Sequence, residues 1–224
     1  MSDNSEPLAA QWAGVREVVS SRHFWHIAPV ACAQIGGFMA VQSLWSSAWL
    51  MQVNGYSRTA AANHLAAMSL AMVFAYAMIG LLATRLARHG IRTIHLVGGG
   101  MALSLLTLLA IISEVSDQHY LLWVAYGIFS SCGTLAYALT GGGFRVALSG
   151  RANSTLNLLV FAGAFALQWG MGILIERLQA ASHSAASAHR YAFATLFVVQ
   201  ATALVWLKLG GRKPVAGKTL PTFP

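Results

Sequence analysis

The chain has 224 residues, of which 57% are hydrophobic and 9% charged, and its formal net charge is +8. Soluble domains carry about 25% charge, so this composition excludes an ordinary soluble globule and points to an integral membrane protein. Basic loops facing an anionic leaflet account for the positive charge. Aromatic and basic residues are not interleaved as in RNA-binding modules, so no nucleic-acid partner is expected.

Residues 1–22 read as a polar cytoplasmic leader. Asp3 and Glu6 stand where a signal peptide would have a basic start, and no apolar run follows. Within it, Gln11 to Ser21 fits either a short surface helix, with Trp12, Val15, Val18 and Val19 on one side, or a simple linker. Residues 23–209 form the membrane domain, an all-α bundle of six transmembrane helices. The first span runs from about His26 to Leu50, with Pro29 in its opening turn and Trp25, Trp45 and Trp49 near its ends. Asn54-Gly55 marks a tight turn. The second span covers about Thr59 to Ala83 and the third about Thr93 to Ile112.

The loop between them, GLLATRLARHGIRT, carries Arg85, Arg88 and Arg92. An acidic loop with Glu114 and Asp117 leads into the fourth span, about Tyr120 to Thr140. Gly141 to Gly143 end it, and Arg145 and Arg151 flank the way to the fifth, about Ser154 to Ile175. The sixth runs from about Tyr191 to Leu209, and residues 210–224 read as a disordered cytoplasmic tail. Eleven of the 14 Lys and Arg fall on the N-terminal side of the membrane, leaving Arg58, Arg177 and Arg190 on the other. The asymmetry places both termini in the cytoplasm of a multi-pass inner-membrane protein. Helices are required because lipid satisfies no backbone N–H or C=O, and runs that are apolar throughout do not fit a β-barrel.

Polar residues in a span face a neighbour or a cavity. At helical spacing, Gln34, Phe38, Gln42, Trp45 and Trp49 share a face of the first span. They suit a wall that touches a polar organic solute, and equally a pair of interhelical amide bonds with Trp anchors. Tyr126, Ser130, Thr134 and Tyr137 line a face of the fourth span, either as a wet path or bonded back to their own helix. Asn157 and Gln168, with Phe161 and Phe165, point inward from the fifth. His64 near the outer end of the second span reads as an interface histidine, with proton handling as the alternative.

No Asp, Glu, Lys or Arg lies deep in any span, so no coupling carboxylate is evident. His23 and His26 lack acidic partners for a metal, Ser149-Gly150 makes no nucleophile elbow, and Gly141 to Gly143 lacks a phosphate-loop Lys. Cys32 and Cys132 read as apolar core residues. No enzyme, cofactor or metal is expected.

Gly80, Leu82, Ala83, Arg85, Leu86, Arg88, Gly90 and Arg92 resemble the cytoplasmic loop that joins the second and third helices of each half of major facilitator superfamily transporters. Thr84 stands where that family's form has Asp. Gln42 to Trp45 through Arg58 resembles the family's seventh helix and outer loop, and Gly150 to Asn153 through Leu159 the entry to its eleventh. The resemblance spans about Arg22 to Leu209. It implies the C-terminal six-helix half of a secondary transporter that works by alternating access. Its partners would be the lipid bilayer, an N-terminal half or a homodimer partner, and a small organic solute. It also implies that the first and fourth spans face the passage, favouring Gln34, Gln42, Trp45, Tyr126, Ser130 and Tyr137. The alternative is a non-transporting six-helix assembly or regulatory subunit.

Overall fold

In a computed structural model, which describes residues 8–210, every regular element is a helix. A short helix α1 (Leu8–Val19) precedes six helices long and apolar enough to cross a membrane. These are α2 (Arg22–Gln52), α3 (Arg58–Arg88), α4 (Thr93–Ile112), α5 (His119–Gly142), α6 (Val146–Ala180) and α7 (Ala185–Gly210). They give a multi-pass membrane protein. Its basic end carries Arg22, Arg85, Arg88, Arg92, Arg145 and Arg151. The expectations for residues 1–7 and 211–224, including the tail's Arg212, Lys213 and Lys218, lie outside the described residues.

Local chemistry fixes the helix ends. The Ser57 hydroxyl accepts the Ala60 N–H at 3.2 Å and caps α3. At the other end of α3, Gly90 adopts φ +77°. Its N–H reaches the Ala87 carbonyl, and Ile91 N–H reaches Leu86. That pair of bonds is the Schellman closure, which glycine makes without a Cβ clash. Arg85, Arg88 and Arg92 are exposed around it, and the Thr84 hydroxyl donates back to the Gly80 carbonyl.

The second helix starts earlier than the sequence suggests, so Pro29 lies two turns inside it rather than in its opening turn. Proline has no N–H for the Trp25 carbonyl. Trp206 of α7 supplies the missing donor through its indole N–H, at 3.1 Å. His23 and His26 act alike. Their Nε2 atoms bond the carbonyls of Leu139 and Leu207, at 3.0 and 2.9 Å, near the ends of α5 and α7. Helix ends leave such carbonyls without partners, so two imidazoles and an indole tie three helices together at the basic end.

Within the leader, Leu8–Val19 is a packed helix. Val18 of α1 is buried with Phe24, Ile27, Ala152 and Leu156. Glu17 pairs with Arg145 at 3.1 Å, an exposed contact worth little in energy.

Helix α2 is the axis of the bundle: 61% of its most apolar stretch is buried, against 17% for α3 and 22% for α6. It is not a uniform α-helix. Cys32–Gly36 and Val41–Trp45 are π-helical turns, each of which carries about one residue more than an α-turn and rotates the following face by about 100°. Lipid tails are as apolar as leucine, so close packing holds membrane helices together. At the α2–α6 crossing a Cβ on Gly36 would lie 2.8 Å from the Ala164 nitrogen and 2.9 Å from the Val160 oxygen. Both are backbone atoms with no room to yield.

We therefore expect Gly36→Ala to destabilise the bundle by about 1–3 kcal/mol, despite alanine's higher helix propensity. Gly99→Ala, where nothing lies within 4 Å, should be neutral or stabilising. Thermal unfolding in detergent measures both, and equal midpoints would contradict the crossing.

Candidate functional site: a polar strip on one face of the bundle

The two π-turns split the stripe expected on the first span. Gln34, Phe38 and Trp49 are buried inside the bundle, whereas Ser43 and Leu44 are exposed and Gln42 and Trp45 half-buried. A constant 3.6-residue period groups Gln34, Phe38, Gln42, Trp45 and Trp49 on one face; Trp45 keeps its packing against the core that holds Phe38 and Trp49, while its indole N–H reaches α6.

On the open side, α2, α5 and α6 bring together a line of polar groups. The Trp45 indole N–H donates to the Gln168 carbonyl at 3.0 Å. The Ser43 hydroxyl donates to Gln168 Oε1 at 3.1 Å. Nearer the basic end, the Tyr137 hydroxyl donates to Asn157 Oδ1 at 2.7 Å. Asn157 and Gln168 are eleven residues apart on one helix, so the strip spans about 16 Å along the bundle axis. Phe161 and Phe165 stand exposed between them. Amide, hydroxyl and indole groups beside exposed rings can hydrogen-bond and stack a polar organic molecule. Ser43 was not among the residues singled out from the sequence.

Gln34, Tyr126 and Ser130 turn the other way. Tyr126 is fully buried and Ser130 nearly so. Gln34 Nε2 donates to the Ser104 hydroxyl at 2.9 Å, inside the bundle. Gln200 of α7, also fully buried, donates its Nε2 to the Ala33 carbonyl at 3.1 Å. Sequence reasoning passed over Gln200. Its signal was there, since it is the one amide in an apolar run from Tyr191 to Leu207. Thr134 bonds back to the Ser131 carbonyl at 2.8 Å, in a 3₁₀ turn over Cys132–Thr134 that tightens α5 below Ser130.

At the opposite end His64 is buried and spends Nδ1 on the Ala60 carbonyl, at 2.8 Å. Its ring stacks on Tyr120, with 3.7 Å between centroids. The histidine thus packs α3 onto the start of α5. Tyr56 and His119 bond beside it at 2.9 Å, joining the α2–α3 turn to the same helix start. Arg190 grips Glu114 through two nitrogens, at 2.8 and 2.6 Å.

The Tyr137–Asn157 bond should be measurable by itself. A double-mutant cycle of Tyr137→Phe and Asn157→Ala is expected to give a coupling of about 0.6–1.7 kcal/mol, the range for hydrogen bonds between membrane helices. Additive effects on unfolding would contradict the contact.

No protein-family model matches the sequence, and no curated protein matches it. Solved structures do. A bacterial homolog of the human lysosomal transporter Spinster, inward-facing and unoccupied, superposes with a TM-score of 0.70 at 17% identity over 95% of this chain. Its occupied inward-facing form gives 0.68 at 17% identity over 92%. This chain spans about half their length, covering 52% of each. At that identity the likeness is one of fold. The chain has the six-helix architecture of about half of those solved structures.

Proposed function

We propose that the chain forms the C-terminal half of a secondary transporter and moves a small organic solute by alternating access with a second six-helix half. The observation that carries this reading is the half-length match to transporter structures, joined to a polar strip on the face that a half-bundle leaves open. In such folds the passage lies between two halves that rock against each other.

Gln42, Trp45, Tyr137, Asn157 and Gln168, with Ser43, are the proposed lining. Their uncharged donors and acceptors recognise a solute by hydrogen bonds and stacking. Helices α3 and α6 are the least buried of the six. Exposed Leu70, Val73 and Phe74 on α3, and Leu158 and Trp169 on α6, give the apolar borders for lipid and the second half. That half is either a separate N-terminal bundle or another copy of this chain. The basic end, with the Arg85 to Arg92 turn, faces the cytoplasm by the positive-inside rule.

Uptake tests the proposal. Vesicles holding this chain together with a six-helix partner should accumulate a radiolabelled solute, found by screening a panel of small organic compounds. Vesicles holding a demonstrated monomer of this chain should not. Gln42→Ala with Trp45→Ala should raise KM or lower kcat by about tenfold, the loss of about 1.4 kcal/mol. Uptake by the monomer would refute the need for a partner. Unchanged kinetics would leave the polar strip to helix packing, and no uptake with any six-helix partner would favour a non-transporting subunit.

A further inference from the structure

A crevice of about 190 Å³ opens between α6 and α7, on the side of α6 away from the strip. Gly170 is two residues on from Gln168, so it points about 160° away from it. Met171 and Leu196 are buried at the floor of the crevice. Gly170 and Leu174 line one wall, Thr195 and Val199 the other. The Thr195 hydroxyl is spent on the Tyr191 carbonyl at 2.9 Å, so the lining offers no free polar group.

At Gly36 and Gly163 a missing side chain lets two helices touch. At Gly170 it leaves a gap, since nothing lies within 4 Å of a Cβ placed there. An apolar cavity of about 150 Å³ stays dry and takes a benzene-sized guest. This one is larger, and from Ala166 to Leu174 it runs about 12 Å along the helix, the shape of a stretch of hydrocarbon chain.

The residues above the crevice are of a different kind. Arg177 is seven residues on from Gly170, so it lies on the same side of α6, about 10 Å nearer the end opposite the basic loops. It is exposed, and among the described residues it has no acidic partner. Glu176 points about 100° away from it, and Arg190 at the start of α7 is taken by Glu114. Tyr191 stands one turn above Thr195, exposed, with its ring edge against His183. A guanidinium pairs with phosphate, and tyrosine rings favour headgroup depth.

We propose that the crevice holds one acyl chain of a phospholipid from the leaflet at that end, with its phosphate on Arg177 beside Tyr191. The lipid fills the gap that side chains leave between α6 and α7. The site faces away from the strip and does not depend on what the strip binds.

Photolabelling tests this, with phosphatidylglycerol that carries a diazirine midway along one acyl chain and the full chain in lipid nanodiscs. Adducts mapped by peptide mass spectrometry should concentrate on residues 166–174 and 195–199, well above those at exposed Leu103 and Leu106 of α4. Equal labelling of the two regions, as ordinary boundary lipid gives, would overturn the site. So would an unlabelled crevice, which would leave the gap to a protein partner. This comparison needs no variant. Gly170→Leu adds a side chain where no atom opposes its Cβ, and it should abolish the excess while leaving the α4 adducts unchanged. An excess that persists would contradict the crevice as the seat of the chain. Arg177→Gln should lower the excess about fivefold, the worth of one basic residue at a membrane surface. A diacylglycerol with the same diazirine, which has no phosphate, should show the same reduction. Equal excess from the two lipids would overturn the phosphate contact.

Discussion

The close approach of α2 to α6 is the constraint on which the rest of the bundle depends. At Gly36 the two backbones come so near that a single added methyl group meets main-chain atoms. Gly163 repeats the approach from the α6 side, where a Cβ would lie 3.2 Å from the Cys32 Cβ. Inside lipid there is little hydrophobic gain from helix association, so such contacts and a few hydrogen bonds carry the assembly. With α2 held at the centre, its buried side packs α4, α5 and α7, and its other side opens beside α6.

The π-turns give this central helix two chemistries. They fall where α2 must serve both the interior and the open face, and they rotate successive residues between them. Gln34 joins the inner polar group, while Ser43 and Trp45 join the strip with Gln168. A helix of constant pitch would have put Gln34, Gln42 and Trp45 on one side. The ends are fixed differently, by His23, His26 and Trp206 filling carbonyls that proline or helix termination leaves open. These side chains hold the basic end together.

Much of this was legible in the residues. Six apolar runs, the arginine bias of their loops and the Gly90 turn are local features, and local features survive folding. The α1 helix was half legible, since its apolar side could be seen but not the packing of Val18 under Phe24 and Ala152. The division of the polar residues was not legible. It depends on where two extra residues enter the helical ladder, at Cys32–Gly36 and Val41–Trp45, and no local pattern in α2 marks those positions. Gln200 was readable by its isolation among apolar neighbours, yet its partner is a backbone carbonyl 167 positions away, which no spacing rule reaches.

The account turns on the strip being the wall of a water-accessible passage, with the outer side of α3 in lipid or against a partner. Single cysteines at Ser43, Asn157 and Gln168, in a chain with Cys32 and Cys132 replaced, can be challenged in native membranes with a hydrophilic maleimide. The account predicts that these three react readily, that the substrate protects them once it is known, and that cysteines at Val73 and Phe74 stay unreactive. Unreactive cysteines along the strip, or equal labelling at both sets, would contradict it.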